Sequence, residues 1–170
     1  MQVLVRPGTI ADAAQLAELR WESRYDRERK AEAKGRFANR FASWFEQAVI
    51  SGEWFVAVAE HRDGGLVGCM YLRRIETVPV PGTTDRAWGY VTNAFVRPTF
   101  RGQGAGGSLL ALLVNTARER SLHELHVWPS LGAVSLYRRA GFLSPEEQVS
   151  SGGQEIPAFF LPLLHDTRGA

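Results

Sequence analysis

Residues 3–7, VLVRP, form a short apolar run stopped by a proline and predict a first strand. The following stretch, ADAAQLAELRW, places Leu16, Leu19 and Arg20 at helical spacing, with Thr9 or Asp12 available as its cap. Residues 22–35 are dense in charge and predict a solvated helix end or a mobile connection. Phe37, Phe41, Trp44, Phe45 and Ala48 then recur at intervals of three and four, the mark of an amphipathic helix facing a core. EWFVAVAEHRDGGLVGCMYLRRIE reads as a hairpin, two β-rich runs about a tight turn at Asp63-Gly64.

A loop over 78–85 leads to a strand in RAWGYVTNAFV, and a glycine cluster then opens the helix GSLLALLVNTARERS. HELHVW predicts a strand, LGAVSLYRRA a short helix closed by Gly141, and PAFFLPL a last strand after a polar loop. The predicted order is β-α-α-β-β-β-α-β-α-β-β. A right-handed crossover through the glycine-initiated helix sets the 123–128 strand parallel to the 87–96 strand. The expected fold is therefore α/β, a mixed and mostly antiparallel sheet with helices on both faces, in one domain over 1–170.

Composition narrows the function classes. The 170 residues carry 20 basic and 18 acidic side chains, a net charge of +2, with no concentrated basic stripe of the kind a nucleic-acid binder shows. Cys69 is the only cysteine, so neither an intramolecular disulfide nor a cysteine-based zinc site is expected, and a reducing, cytoplasmic setting follows. The longest aliphatic run, LLALLV at 109–114, is too short to span a bilayer. No metal, membrane or nucleic-acid partner is expected, and the sequence leaves a homodimer open.

The stretch RPTFRGQGAGGSLL at 97–110 fits two phosphate-cradling patterns. Gly102, Gly104 and Gly107 satisfy the dinucleotide fingerprint G-x-G-x-x-G. That fingerprint wants its first glycine directly after the strand and an acidic residue about 20 positions on, at the ligand-facing end of the next strand. Here five residues separate Val96 from Gly102, and Glu124 lies at the wrong end of its strand. The pattern R-x-x-G-x-G, met by Arg101, Gly104 and Gly106, fits better. A longer loop can point the amides of Gly102, Gln103, Gly104, Ala105, Gly106 and Gly107 into one concavity at the positive end of the following helix. Arg101 can add a charge-assisted contact.

VRPTFRGQGAGGSLL followed by HVWPSLGAVSLYRRAGF resembles the GCN5-related N-acetyltransferase (GNAT) family, clearly over about residues 86–143. The resemblance implies a GNAT-like acyltransferase fold and an enzyme that moves an acetyl group from acetyl-CoA to a primary amine by direct attack. The acceptor would be a small-molecule amine or a protein amine. It implies that the pyrophosphate sits on Arg101 to Ser108 and that the pantetheine arm pairs with backbone near Phe95 and Val96, in a gap where the two parallel strands splay. The Val96 amide would stabilise the oxyanion. Tyr137 stands at the family's position for the acid that protonates the leaving thiolate; a phenol with an ordinary pKa near 10 is still a donor at neutral pH.

Two positions depart from the family pattern. Ser130 replaces an asparagine that often contacts the CoA arm. The strand before the loop holds no carboxylate to serve as base, leaving Tyr90, Glu76, His126 and Asp85 as candidates, or none. Trp21, Tyr25, Trp88 and Tyr90 are candidate walls for an amine, and Glu22, Asp26, Glu28, Glu146 and Glu147 candidate attractants for a cation. The competing readings are a non-catalytic acyl-CoA sensor on the same fold, a nucleotide-binding oxidoreductase, and a nucleic-acid adaptor.

Overall fold

In the computed structural model the described residues are 3–82, 86–144 and 158–163. The predicted runs become β1 (Val3–Pro7), α1 (Ala13–Glu22), α3 (Lys34–Ile50), β2 (Trp54–His61), β3 (Leu66–Glu76), β4 (Ala87–Val96), α4 (Ala105–Glu119), β5 (Glu124–Val127), α5 (Val134–Arg139) and β6 (Phe159–Pro162). The charged segment contains a short exposed helix, α2 (Asp26–Lys30), held by its own ion pairs between Arg24 and Glu28 and between Arg29 and Asp26. Of the two terminal strands expected, β6 lies within the described residues, and Leu143 makes an isolated bridge to Phe160.

The six strands form one sheet in sequential order, β1 to β6. β1 runs antiparallel to β2, and β5 antiparallel to β6. β4 and β5 are parallel, with Gly89 opposite Leu125, Tyr90 opposite His126 and Val91 opposite Val127. The mixed sheet and its one parallel pair are therefore as the crossover argument requires.

The chain packs as two compact units. The first comprises the chain up to Tyr71 together with Asn93–Leu113, the second Leu72–Thr92 and the chain from Val114 onward. In the first, Leu16 and Leu19 of α1 and Phe41 and Phe45 of α3 bury against Val56, Val58, Leu66 and Cys69 of the hairpin. The spacing of these residues puts them on one helical face, and burying each is worth about 1.5–3 kcal/mol. Asp12 is also buried. Its carboxylate takes two 2.8 Å hydrogen bonds from Arg6 and one from the Thr9 amide, which closes the turn before α1.

The end of β4 is fixed by a second arginine. The Arg97 amide donates to the Val67 carbonyl at 2.8 Å, and its guanidinium forks onto Glu22 at 2.9 and 2.6 Å while donating to the Leu66 carbonyl at 3.0 Å. Bidentate pairs of this kind fix orientation as well as adding energy. At the other end of the pairing, Thr77 donates to the Arg86 carbonyl, one residue out of step with the Arg97–Val67 bond. An extra residue in β4 accounts for the shift, and Asn93, with φ of 52°, marks where the strand departs from regular geometry. In the second unit, Leu125, Val127, Tyr137, Phe142 and Phe159 are buried, and Gly89 lies where a Cβ would press on Leu125 and meet Leu72 at 2.7 Å.

Gly68 is the tightest point of the first unit that faces backbone. A Cβ there would stand 2.9 Å from the Phe95 carbonyl oxygen and 3.0 Å from Val96. Gly68→Ala is therefore expected to cost about 1–3 kcal/mol, read as a lower midpoint in chemical denaturation. An unchanged midpoint would mean that β3 and β4 are not packed this closely.

Candidate functional site

The glycine cluster sits between the end of β4 and the first turn of α4, all within the first unit. After Val96 the chain makes a short 3-10 turn over Pro98–Phe100, closed by bonds from the Phe100 amide to Arg97 and from the Arg101 amide to Pro98. Gly102 and Gly104 then adopt φ of 74° and 87°, a left-handed conformation that costs an L-residue with a side chain about 1–2 kcal/mol. The first α4 bond runs from the Ser108 amide to the Gly104 carbonyl. The six amides from Gly102 to Gly107 consequently find no acceptor among the described residues. Nothing stands within 4 Å of where a Cβ of Gly102 or Gly107 would project, so the space beside those two glycines is open.

Arg101 lies beside this loop rather than over it. Its Nε donates to the Val96 carbonyl at 2.8 Å and its guanidinium stacks 6.0 Å from the centre of the Phe95 ring. That leaves its terminal nitrogens for a further acceptor and occupies the Val96 carbonyl. Gln103 folds back, its Nε2 donating to the Thr99 carbonyl at 3.1 Å. Ala105 is buried under the helix start, and Ser108 is half-buried on its first turn.

The second unit holds Ser130 and Tyr137. Ser130 is exposed and begins a 3-10 turn, its carbonyl accepting from the Ala133 amide at 2.8 Å, while its side chain makes no capping bond. Tyr137 follows on α5, which Gly141 closes with φ of 87°. The Tyr137 ring is 2% exposed, packs edge-on to Phe142 at 5.3 Å, and its hydroxyl has no hydrogen bond to a described residue. Burial, with a smaller contribution from neighbouring Tyr90, pushes its pKa up to about 12. The group is therefore a phenol, able to donate, throughout the neutral range.

The candidate bases are placed as follows. Tyr90 stands across the strand pair from His126, and its ring packs on Trp128 at 5.4 Å. His126 Nε2 is held 2.9 Å from Glu124, with Trp88 edge-on at 4.9 Å. Glu76 is exposed near Arg74. Asp85, Glu146 and Glu147 lie outside the described residues. The carboxylates expected to attract a cation are already taken: Glu22 by Arg97, Glu28 by Arg24 and Asp26 by Arg29. Arginines neutralise all three, which the sequence could not reveal for Glu22 because its partner is far along the chain. Trp21 packs against Phe37 at 5.5 Å, and Tyr25 is three-quarters exposed. Among the described residues no cluster of His, Cys, Asp and Glu could hold a metal ion, and no helix is long and apolar enough to cross a membrane.

A run of amides without a described acceptor thus stands at a helix start, on an α/β fold whose mixed sheet has one parallel pair. The chain belongs to the acetyltransferase (GNAT) family, whose model matches residues 13–142. Several solved structures share the fold. A predicted acetyltransferase from Clostridium acetobutylicum, solved with acetyl-CoA, is 20% identical with a TM-score of 0.68, over 88% of this chain and 96% of that one. A GNAT family N-acetyltransferase from Escherichia coli, in complex with CoA, is 21% identical with a TM-score of 0.66, over 96% and 83%. Glucosamine-6-phosphate N-acetyltransferase from Arabidopsis thaliana is 16% identical with a TM-score of 0.68, over 89% and 99%. Among curated proteins no significant sequence match is found.

The raised pKa of Tyr137 has a consequence for stability. An unfolded tyrosine ionises near pH 10, so the stability its neutral form contributes is complete below that value and is lost as pH rises through about 12. Tyr71 is shifted in the same direction by burial. Chemical denaturation of the wild type is expected to show a steep loss above pH 10, and Tyr137→Phe a shallower one. Equal slopes would mean that Tyr137 is not buried as a neutral phenol.

Proposed function

We propose that the protein is an acetyl-CoA-dependent N-acetyltransferase acting on a primary amine. The observation that carries this reading is the run of six free amides from Gly102 to Gly107, opened by two left-handed glycines at the start of α4. Donors without partners at the positive end of a helix suit a diphosphate, and the open space beside Gly102 and Gly107 leaves room for its oxygens. Acetyl-CoA would supply an activated acetyl thioester; every other part of the work falls to this chain's residues.

Those residues divide the work simply. The loop amides and the terminal nitrogens of Arg101 bind and orient the diphosphate. The Val96 amide, at the end of β4, is the donor proposed for developing negative charge on the acyl oxygen. Tyr137 holds a proton on Oη and gives it to the departing sulfur. Burial keeps the group a phenol, a hydrogen-bond donor toward the sulfur, through the neutral range, while it makes full transfer of the proton harder. In the transfer the acceptor nitrogen would bond to the acetyl carbon as the carbon–sulfur bond breaks, and the nitrogen's extra proton would pass to solvent. β4 carries no carboxylate to take the proton, so the enzyme draws on the neutral fraction of its substrate, and its rate rises with pH toward the amine's pKa.

Two measurements test the reading. Gly104→Ala, which forces a Cβ into a left-handed position, is expected to lower CoA affinity at least tenfold by thermal-shift titration, whereas stabilisation of the wild type by NAD and not by CoA would overturn the proposal. Tyr137→Phe is expected to lower kcat about tenfold to a thousandfold in a thiol-release assay across an amine panel, while CoA affinity stays nearly the same. Unchanged turnover would remove Tyr137 as the acid. CoA binding without thiol release from any amine would instead favour the acyl-CoA sensor.

A further inference from the structure

We propose that a cavity between α1, α3, β3 and β4 of the first unit binds a carboxylate attached to a small apolar body, and that the acceptor amine is therefore an amino-carboxylate. The first half stands on the cavity alone; the second rests on the acetyltransferase reading above. The cavity has a volume of about 300 Å³, the lower end of the range for small-molecule sites. Arg20 and Asn93 line it together with the aromatic side chains of Phe37, Phe41, Trp44 and Tyr71.

Its polar groups are chiefly donors that lack acceptors. Arg20 is partly buried and forms no ion pair with a described carboxylate; its one side-chain bond is from Nη1 to the Asn93 Oδ1 at 2.7 Å. A guanidinium carries five N–H donors. The neighbouring Arg24 is neutralised by Glu28, and Arg40, which also lines the cavity, is bonded to Glu32 at 2.6 Å. One uncompensated positive charge is left. Burial is the main reason the Arg20 pKa is lowered, with Arg24 second, the behaviour of a cation missing its counter-ion.

Tyr71 supplies the second sign. It is 1% exposed, lines the cavity, and its hydroxyl has no hydrogen-bond partner among the described residues. The Cys69 thiol is its electrostatic neighbour on the same strand face, but the geometry falls short of a hydrogen bond and a thiol is a weak partner. Leaving such a group buried and unsatisfied is destabilising. Asn93 keeps its amide N–H donors, since its oxygen is the atom that Arg20 uses. A single negative charge with two acceptor oxygens meets these demands, and a carboxylate matches the fork of a guanidinium. The aromatic walls take the apolar body; Trp44 stands 5.4 Å from Phe41 and 6.3 Å from Tyr71. Asn93 precedes Val96 by three residues on β4, about 10 Å along a strand. The cavity and the glycine loop are thus joined within one unit by one strand.

The test uses the full chain and two independent readouts. Tryptophan fluorescence follows binding of 3-phenylpropionate, 3-phenylpropylamine and phenyl phosphate, without CoA. The carboxylate is expected to bind at least tenfold more tightly than the other two. Arg20→Gln should weaken it roughly tenfold to a hundredfold, and Tyr71→Phe, which removes only the unpartnered oxygen and leaves the core packed, roughly threefold or more. Tighter binding of the amine, no binding of the carboxylate, or undiminished binding by a folded Tyr71→Phe would overturn the cavity proposal; preference for the phosphate would replace its ligand class with a phosphomonoester. Thiol release is then measured with phenylalanine and with phenylalanine amide. Preference for phenylalanine by tenfold or more is expected. Carboxylate binding without thiol release from any amine would leave the cavity standing and fail the transferase reading. Acetylation of the amide alone would leave the transferase reading standing and overturn the amino-carboxylate acceptor.

Discussion

A backbone amide needs an acceptor, and between Gly102 and Gly107 six in succession have none among the described residues. That constraint organises the first unit. The loop holds this shape only because Gly102 and Gly104 accept left-handed backbone angles and because α4 begins at Ala105, after the loop has turned. What holds the entry to the loop is the Arg97 corner, a guanidinium shared between Glu22 and the Leu66 carbonyl, with the backbone bonded to Val67. Residue choice, turn geometry and packing thus converge on a loop whose amides point to no described acceptor, the feature on which the proposed diphosphate site rests.

Much of this is legible in the amino-acid sequence itself. The helical spacing of Phe37, Phe41 and Phe45, the Asp63-Gly64 turn and the glycine cluster each encode a local shape through side-chain period or backbone freedom, and each folds as its pattern requires. The parallel pairing of β4 and β5 follows from the handedness of crossovers. Partnerships between distant residues are what the sequence hides. Glu22 reads as a lure for a cationic substrate, yet Arg97, far along the chain, claims it. Tyr71 and Arg20 carry no signal at all: a tyrosine in a strand and an arginine on a helix are ordinary, and only the cavity they share makes their missing partners visible. The short helix α2 arises where charge density suggests a solvated connection, because its ion pairs lie three and four residues apart.

The proposed chemistry uses no carboxylate base from β4, which carries none. Glu22, Asp26 and Glu28 near α1 and α2 are matched by arginines, and the acid proposed in the second unit is a buried phenol whose proton is held more firmly than usual. In the proposed mechanism that phenol stays protonated through the neutral range as a hydrogen-bond donor, and the amine's own pKa governs the rate. A cationic pocket for a substrate carboxylate is consistent with this division, since it binds the acceptor by the group that does not react.

The central claim is that the amides of Gly102 to Gly107 grip a diphosphate. The most direct measurement is amide NMR of the full chain titrated with CoA and, separately, with pantetheine, which lacks the diphosphate. The account predicts large shifts at those six amides with CoA and little movement with pantetheine. CoA binding that leaves them unmoved would contradict it.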